Sequence, residues 1–231
     1  MTWFSAMGLI TAIALFLPIV IILTLRLAWY KSFPALLIYF LLVSVHIFLS
    51  LDFIKANRNI IQYYGVFNNF IDAPLMLTFM TYFSKTATFR NRMRVVIIAL
   101  ILFEVVIIAV FGFNRNSVVI AMAPGLSLVL AFSLIFFIHQ VKIAVVYQKA
   151  AGKAFMTAAL LFAYGGYSFI YVAYYLIKTP DRADIQLMYY LVTIFSSLLV
   201  ATGVLIERRR VKQLNELKIT REELKVIYGR S

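Results

Sequence analysis

The sequence predicts an all-α polytopic membrane protein, a bundle of seven transmembrane helices. Hydrophobic residues make up 64% of the 231 residues and charged residues 13%, whereas a soluble domain carries roughly 45–50% apolar and about 25% charged residues. Seven stretches of about 20 mostly apolar residues are each long enough to cross a hydrocarbon core of about 30 Å. The basic residues alternate between connectors, and this alternation favours an odd number of spans.

The seven spans follow one another with short connectors, so the sequence indicates one compact bundle over residues 1–206. The predicted spans are 3–25, 33–51, 60–83, 95–113, 117–138, 154–177 and 185–206. The first span has no basic segment and no small-residue cleavage site before Arg26, in contrast to a signal peptide. We therefore expect it to be a helix of the mature protein.

The distribution of lysine and arginine predicts the orientation. The connectors after spans one, three and five, together with the tail, hold 17 of the 22 basic residues. The remaining five are Lys55, Arg58, Arg115, Lys178 and Arg182. Because short basic connectors stay in the cytoplasm, we expect the amino terminus outside and the carboxyl terminus inside. A multi-pass location in a cell membrane, the inner membrane of a bacterium, follows from this.

The net charge of +13 does not indicate nucleic acid, because the basic residues lie in connectors and in the tail rather than in a domain of their own. Anionic lipid headgroups at the cytoplasmic side of the bilayer are the expected partner. The chain has no cysteine, which excludes disulfides and thiolate chemistry, and it has only two histidines.

The tail, residues 207–231, reads as a basic amphipathic helix. Apolar side chains recur there at helical spacing: Leu214, Leu217, Leu224 and Ile227. Such a helix could lie on the inner leaflet or dock a cytoplasmic protein partner, and a solvated extension of the last span is the alternative. A tail of this length is too short for a kinase or cyclase domain, so any output must pass to another protein.

Two carboxylic residues, Asp72 and Glu104, lie halfway along predicted spans. An ionisable group at membrane depth costs about 2.5–3.5 kcal/mol, so it is a functional candidate by default. Asn68 and Asn69 lie one turn before Asp72 and form a polar stripe with it. The alternative for each carboxyl is a neutral, hydrogen-bonded structural role.

The last two spans add hydroxyl groups at helical spacing. In the sixth span these are Tyr164, Tyr167, Tyr171 and Tyr174. In the seventh span they are Tyr189, Thr193, Ser196 and Ser197. Such stripes are often helix-packing surfaces, because hydroxyl groups bond between membrane helices. If they converge on Asp72, they enclose a central ligand pocket or ion pathway with aromatic walls.

The third span resembles the third helix of microbial (type 1) rhodopsins, and most closely that of the sodium-pumping type. Asn68, Asp72 and Pro74 occupy the family's asparagine, aspartate and proline positions. Ser196 and Ser197 resemble the end of the helix that carries retinal. The resemblance implies a rhodopsin-like fold.

This sequence differs from the family at the positions that covalent retinal binding requires. The retinal lysine would fall at Leu198 or Leu199, and neither side chain has the amine that a Schiff base requires. All ten lysines lie at span ends, in connectors or in the tail. The second counterion, arginine and glutamine positions of the family hold other residues: Phe195, Gly65 and Phe79. These differences together indicate that this lineage no longer uses covalently bound retinal.

The sequence therefore predicts a sensory or regulatory protein that has no covalent cofactor and holds retinal, a carotenoid or a lipid without a bond. The alternative is a small proton- or cation-coupled transporter or channel that uses Asp72. An enzyme is not expected, because the sequence offers no machinery for nucleophilic or metal-dependent catalysis. The resemblance to rhodopsins also implies a homo-oligomer.

Overall fold

The structure is a computed structural model that describes residues 3–147, 150–177 and 182–228. These residues are almost entirely helical and contain no strand, which confirms the all-α prediction. The helices are α1 (Trp3–Thr24), α2 (Phe33–Ser50), α3 (Arg58–Met80), α4 (Ala87–Phe111), α5 (Arg115–Tyr147), α6 (Ala151–Tyr171) and α7 (Arg182–Tyr228). A short 3₁₀ turn, Thr81–Phe83, follows α3, and a π-helical turn, Val172–Leu176, extends α6.

Six of these helices are long and apolar enough to cross a membrane, which supports a membrane-embedded protein. Helix α3 is not one of the six, although it has 23 residues. Its hydropathy is lower because it carries polar side chains along its length. These are Arg58, Asn59, Gln62, Asn68, Asn69 and Asp72.

The helices pack in chain order, each against the next. Contacts between α1 and α7 and between α3 and α5 close the arrangement into a bundle. Its core is filled by large apolar side chains that are almost completely buried, among them Phe33, Phe79, Phe83 and Met156. This packing holds α3 between α2, α4 and α5, so Asn68, Asn69 and Asp72 are partly buried, whereas Arg58, Asn59 and Gln62 at the start of the helix are exposed.

Helices α6 and α7 approach each other most closely where two glycines meet. A Cβ atom on Gly152 would lie 2.7 Å from the carbonyl oxygen of Gly203 and 2.6 Å from the amide nitrogen of Glu207. Small residues allow membrane helices to pack backbone against backbone in this way. The contact fixes Glu207 against the start of α6.

Several helices extend beyond their predicted spans, because hydropathy marks the apolar part of a helix and not its ends. Helix α4 begins at Ala87, and α5 continues to Tyr147. Helix α7 runs without a break into the tail and ends at Tyr228. The side chains of Leu214, Leu217, Leu224 and Ile227, on which the amphipathic prediction depends, lie outside the described part of the structure.

Candidate functional site

Asp72 lies in the middle of α3 and accepts a hydrogen bond from the hydroxyl group of Tyr164 on α6, with 2.6 Å between the oxygens. Tyr164 is 1% exposed, whereas Asp72 is only partly buried. The pair joins two helices that are distant in sequence. This hydrogen bond connects the polar stripe of α3 with the tyrosine stripe of α6.

A cavity of about 610 Å³ lies above this pair, between α2, α3, α5, α6 and α7. Asp72, Asn68 and Asn69 all line it, so the structure brings the polar stripe together at one face of the cavity. The cavity extends along α3 from Gln62 to Asp72, a distance of about 15 Å at a rise of 1.5 Å per residue. Asp72 therefore forms its floor.

Tyrosine rings form much of the cavity wall. Tyr167 stacks on Tyr189 with 5.8 Å between the ring centroids, and its hydroxyl group lies 3.1 Å from that of Thr193. Tyr171 donates a hydrogen bond to the carbonyl oxygen of Val119 on α5, at 2.9 Å. The predicted tyrosine stripe thus faces inwards, and its hydroxyl groups also hold neighbouring helices together.

The opposite end of the cavity opens at the end of the bundle where α3 and α5 begin, and we call this opening the mouth. Arg115 lies there, hydrogen bonded to the hydroxyl group of Tyr174. Its guanidinium carbon is 5.0 Å from the centroid of the Tyr174 ring and 5.8 Å from that of Tyr175. The mouth therefore combines a cation with aromatic rings, and Gln62 and Gln186 complete it.

The hydroxyl residues of α7 lie beside the floor of the cavity. Thr193, Ser196 and Ser197 line a gap of about 20 Å³ together with Tyr164 and Tyr167. Ser196 donates to the carbonyl oxygen of Thr193, at 3.1 Å. A gap of this size holds at most a single water molecule. These three residues support the floor rather than enlarge the cavity.

The structure places three other site candidates away from the cavity. Leu198 is 43% exposed, and Leu199 packs partly against the core. Glu104 is 7% exposed on α4, within electrostatic range of Asp72. The lining residues include none of the three.

Pro74 does not line the cavity either, but it follows Asp72 in α3. Proline has no backbone N–H, so the carbonyl oxygen of Phe70 has no intrahelical donor four residues on. Pro74 therefore weakens the backbone hydrogen bonding of the helical turn that carries Asp72.

Sequence reasoning missed several residues of the cavity. Tyr39 on α2 is 8% exposed and faces Asp72 and Tyr167 from the opposite wall. His46 also lines the cavity and stacks on Tyr64 with 6.1 Å between the ring centroids. Most of the 18 residues of α2 are apolar, so hydropathy marks the helix as a span without singling out these two side chains.

The arrangement can bind a molecule with an apolar body and one polar end. Tyrosine rings offer apolar faces, and their hydroxyl groups offer hydrogen bonds at the rim. The carboxyl group of Asp72 has one oxygen bonded to Tyr164, which leaves the other for a ligand donor. Within residues 3–147, 150–177 and 182–228, no three histidine, aspartate or glutamate side chains cluster as a metal site would require.

Comparisons of the chain with family models, curated proteins and solved structures find no match.

Proposed function

We propose that the chain is a seven-helix membrane protein of the microbial-rhodopsin type that binds a small, largely apolar ligand without a covalent bond and has a sensory or regulatory role. The observation that carries this proposal is the tyrosine-walled cavity with Asp72 at its floor. Its volume of about 610 Å³ falls within the range of about 300–1,000 Å³ that is typical of small-molecule sites.

The proposal includes α3 as the seventh transmembrane helix. At a rise of 1.5 Å per residue its 23 residues extend about 35 Å, enough to cross a hydrocarbon core of about 30 Å. Asn68, Asn69 and Asp72 face the internal cavity, where lipid does not meet them. With the amino terminus outside, as the distribution of basic residues favours, the mouth opens to the outside of the cell.

A non-covalent mode of binding follows from the residues beside Asp72. The hydroxyl group of Tyr164 bonds one oxygen of the Asp72 carboxyl group, and no lysine in the described part of the chain lines the cavity. Leu198 is 43% exposed, so its side chain points away from the core. Neither Leu198 nor Leu199, the two positions that align with the retinal lysine, lines the cavity.

The layer below the floor favours ligand binding over ion passage. Met76, Leu77, Phe79 and Met80 follow Asp72 on α3 and are at most 2% exposed. These apolar side chains separate the cavity from the other end of the bundle. A transporter or channel that uses Asp72 would need a hydrated path through this layer.

Helix α7 offers the route for a signal. It contributes Tyr189 to the cavity wall and continues as one helix to Tyr228. At a rise of 1.5 Å per residue its 47 residues extend about 70 Å, more than twice the thickness of the hydrocarbon core. A movement of α7 at the cavity would thus be transmitted along the helix to a cytoplasmic protein bound to the tail.

Retinal tests the non-covalent mode directly, because its absorption reports both binding and imine formation. We expect the purified protein to take up all-trans retinal without forming a visible band that hydroxylamine bleaches, since no amine lies beside Asp72. Asn68→Phe is the control, because the larger side chain fills part of the cavity and should reduce uptake. A hydroxylamine-sensitive band in the unmodified protein would contradict the proposal.

A further inference from the structure

A second cavity lies at the opposite end of the bundle from the mouth, and we call it the tail-end cavity. It has a volume of about 390 Å³ and lies between the connectors that precede α2 and follow α3, the start of α6, and α7. Four of its lining residues are cationic: Lys31, Lys85, Lys153 and Arg210. It shares no lining residue with the Asp72 cavity.

These cations outnumber the anions that face them. The carboxylate of Glu207 lies beside the cavity, accepts a hydrogen bond from Tyr82 at 2.6 Å, and is 3.9 Å from Arg210. In the part of the chain that the structure describes, Lys31, Lys85 and Lys153 have no carboxylate within ion-pair distance. Among the described residues, the single carboxylate of Glu207 therefore faces four cations, which leaves an excess of positive charge at the cavity.

Two of these cations, Lys153 and Lys31, lie over the same ring. The Nζ atom of Lys153 lies 4.2 Å from the centroid of the Tyr82 ring, and that of Lys31 lies 5.5 Å from it. A cation–π contact offsets part of the cost of burying an ammonium group. It does not remove the repulsion between the neighbouring positive charges, which the attraction of each cation to an anion bound between them would offset.

The backbone at the cavity is held in a costly conformation. Lys31 and Ala150 have φ angles of +49° and +67°, two of the four positive values found for non-glycine residues in the described part of the chain. Positive φ is unfavourable for residues with a side chain and persists where the surrounding structure imposes it. Both line the tail-end cavity, so the strain lies where the cations are gathered.

We propose that the tail-end cavity binds a phosphate group. Phosphate matches a pocket that presents several lysines and one arginine, because it accepts charge-assisted hydrogen bonds from many directions. Two sources share this chemistry: the headgroup of an anionic phospholipid at the membrane surface, and a soluble phosphate. The site is separate from the Asp72 cavity and does not depend on what that cavity binds.

The experiment uses the full chain in nanodiscs and a triple variant, Lys31→Gln with Lys85→Gln and Lys153→Gln. The matched control is Lys55→Gln with Lys142→Gln and Lys212→Gln, which removes the same charge from lysines that do not line the cavity. One arm compares phosphatidylglycerol with phosphatidylcholine nanodiscs, and the other adds inorganic phosphate to phosphatidylcholine nanodiscs. Native mass spectrometry counts bound lipid, and thermal unfolding reports stabilisation.

We expect the triple variant to bind its probe at least tenfold more weakly, with the control within twofold of the unmodified protein. Phosphatidylglycerol binding alone identifies a lipid source, and stabilisation by inorganic phosphate identifies a soluble one. Without either anion the triple variant should be at least as stable as the unmodified protein, because it lacks the repulsion. The proposal would be overturned if the triple variant and the matched control lost anion binding to the same extent. It would also be overturned if the unmodified protein bound neither anion.

The exposed position of Lys85 provides a second variant that leaves the buried packing unchanged. Lys85→Glu should weaken binding of the same probe by more than Lys85→Gln does, because it adds a repulsive charge. Equal binding by the two Lys85 variants would also contradict a phosphate site here.

Discussion

Glu207→Ala is expected to lower the free energy of unfolding by about 3–5 kcal/mol, as removal of one partner from a buried polar or ionic contact generally does. Glu207 is 2% exposed and accepts a buried hydrogen bond from the hydroxyl group of Tyr82. Alanine would leave that hydroxyl group without an acceptor. It would also remove the carboxylate that faces Arg210 and the lysines of the tail-end cavity.

The measurement is reversible unfolding in mixed micelles, with Glu216→Ala as the matched control. Glu216 is also 3.9 Å from a basic partner, Lys212, but their side chains are 61% and 77% exposed. Exposed pairs of this kind contribute little to stability, so the control should unfold like the unmodified protein. Glu207→Gln keeps an acceptor for Tyr82 and should fall between the two. Equal stability of the Glu207→Ala and Glu216→Ala variants would refute the role of burial.

Tyr164→Phe and Asp72→Ala are expected to be energetically coupled by about 1–2 kcal/mol, the range for hydrogen bonds between membrane helices and to acidic groups. Each substitution alone leaves the other partner of the 2.6 Å hydrogen bond unsatisfied inside the bundle. The double variant removes both partners at once, so it should cost less than the sum of the single variants.

A double-mutant cycle measures this coupling, with unfolding free energies of the four proteins compared under one set of conditions. Tyr63→Phe, combined with Asp72→Ala, is the control, because Tyr63 is on the same helix as Asp72 but is 60% exposed. Its effect should add to that of Asp72→Ala. Additive effects of Tyr164→Phe and Asp72→Ala would mean that the hydrogen bond does not hold α3 to α6.

The helical architecture could be predicted because hydropathy is a local property of the chain. Each predicted span has a helix in the structure, and the inward face of α6 follows from the spacing of Tyr164, Tyr167 and Tyr171. The spacing places these rings on one side of a helix whatever its neighbours are. The spacing of residues along α6 does not show which helices surround it.

The partners of each site residue could not be predicted for this reason. The sequence singles out Asp72 and Tyr164 separately, but their contact depends on how α3 and α6 lie in the bundle. Arg115 reads only as one basic residue of a connector, and its place at the mouth depends on the rings of Tyr174 and Tyr175. Glu207 reads as the first residue of the tail, because nothing along the chain shows that Tyr82 covers it.

Native mass spectrometry of the protein purified from its own membranes in mild detergent tests the central claim, a ligand held without a covalent bond above Asp72. We predict a species one ligand heavier than the 26.4 kDa chain, which loses that mass on denaturation and is depleted in Asn68→Phe. An added mass that survives denaturation, or equal ligand occupancy in both proteins, would contradict the account.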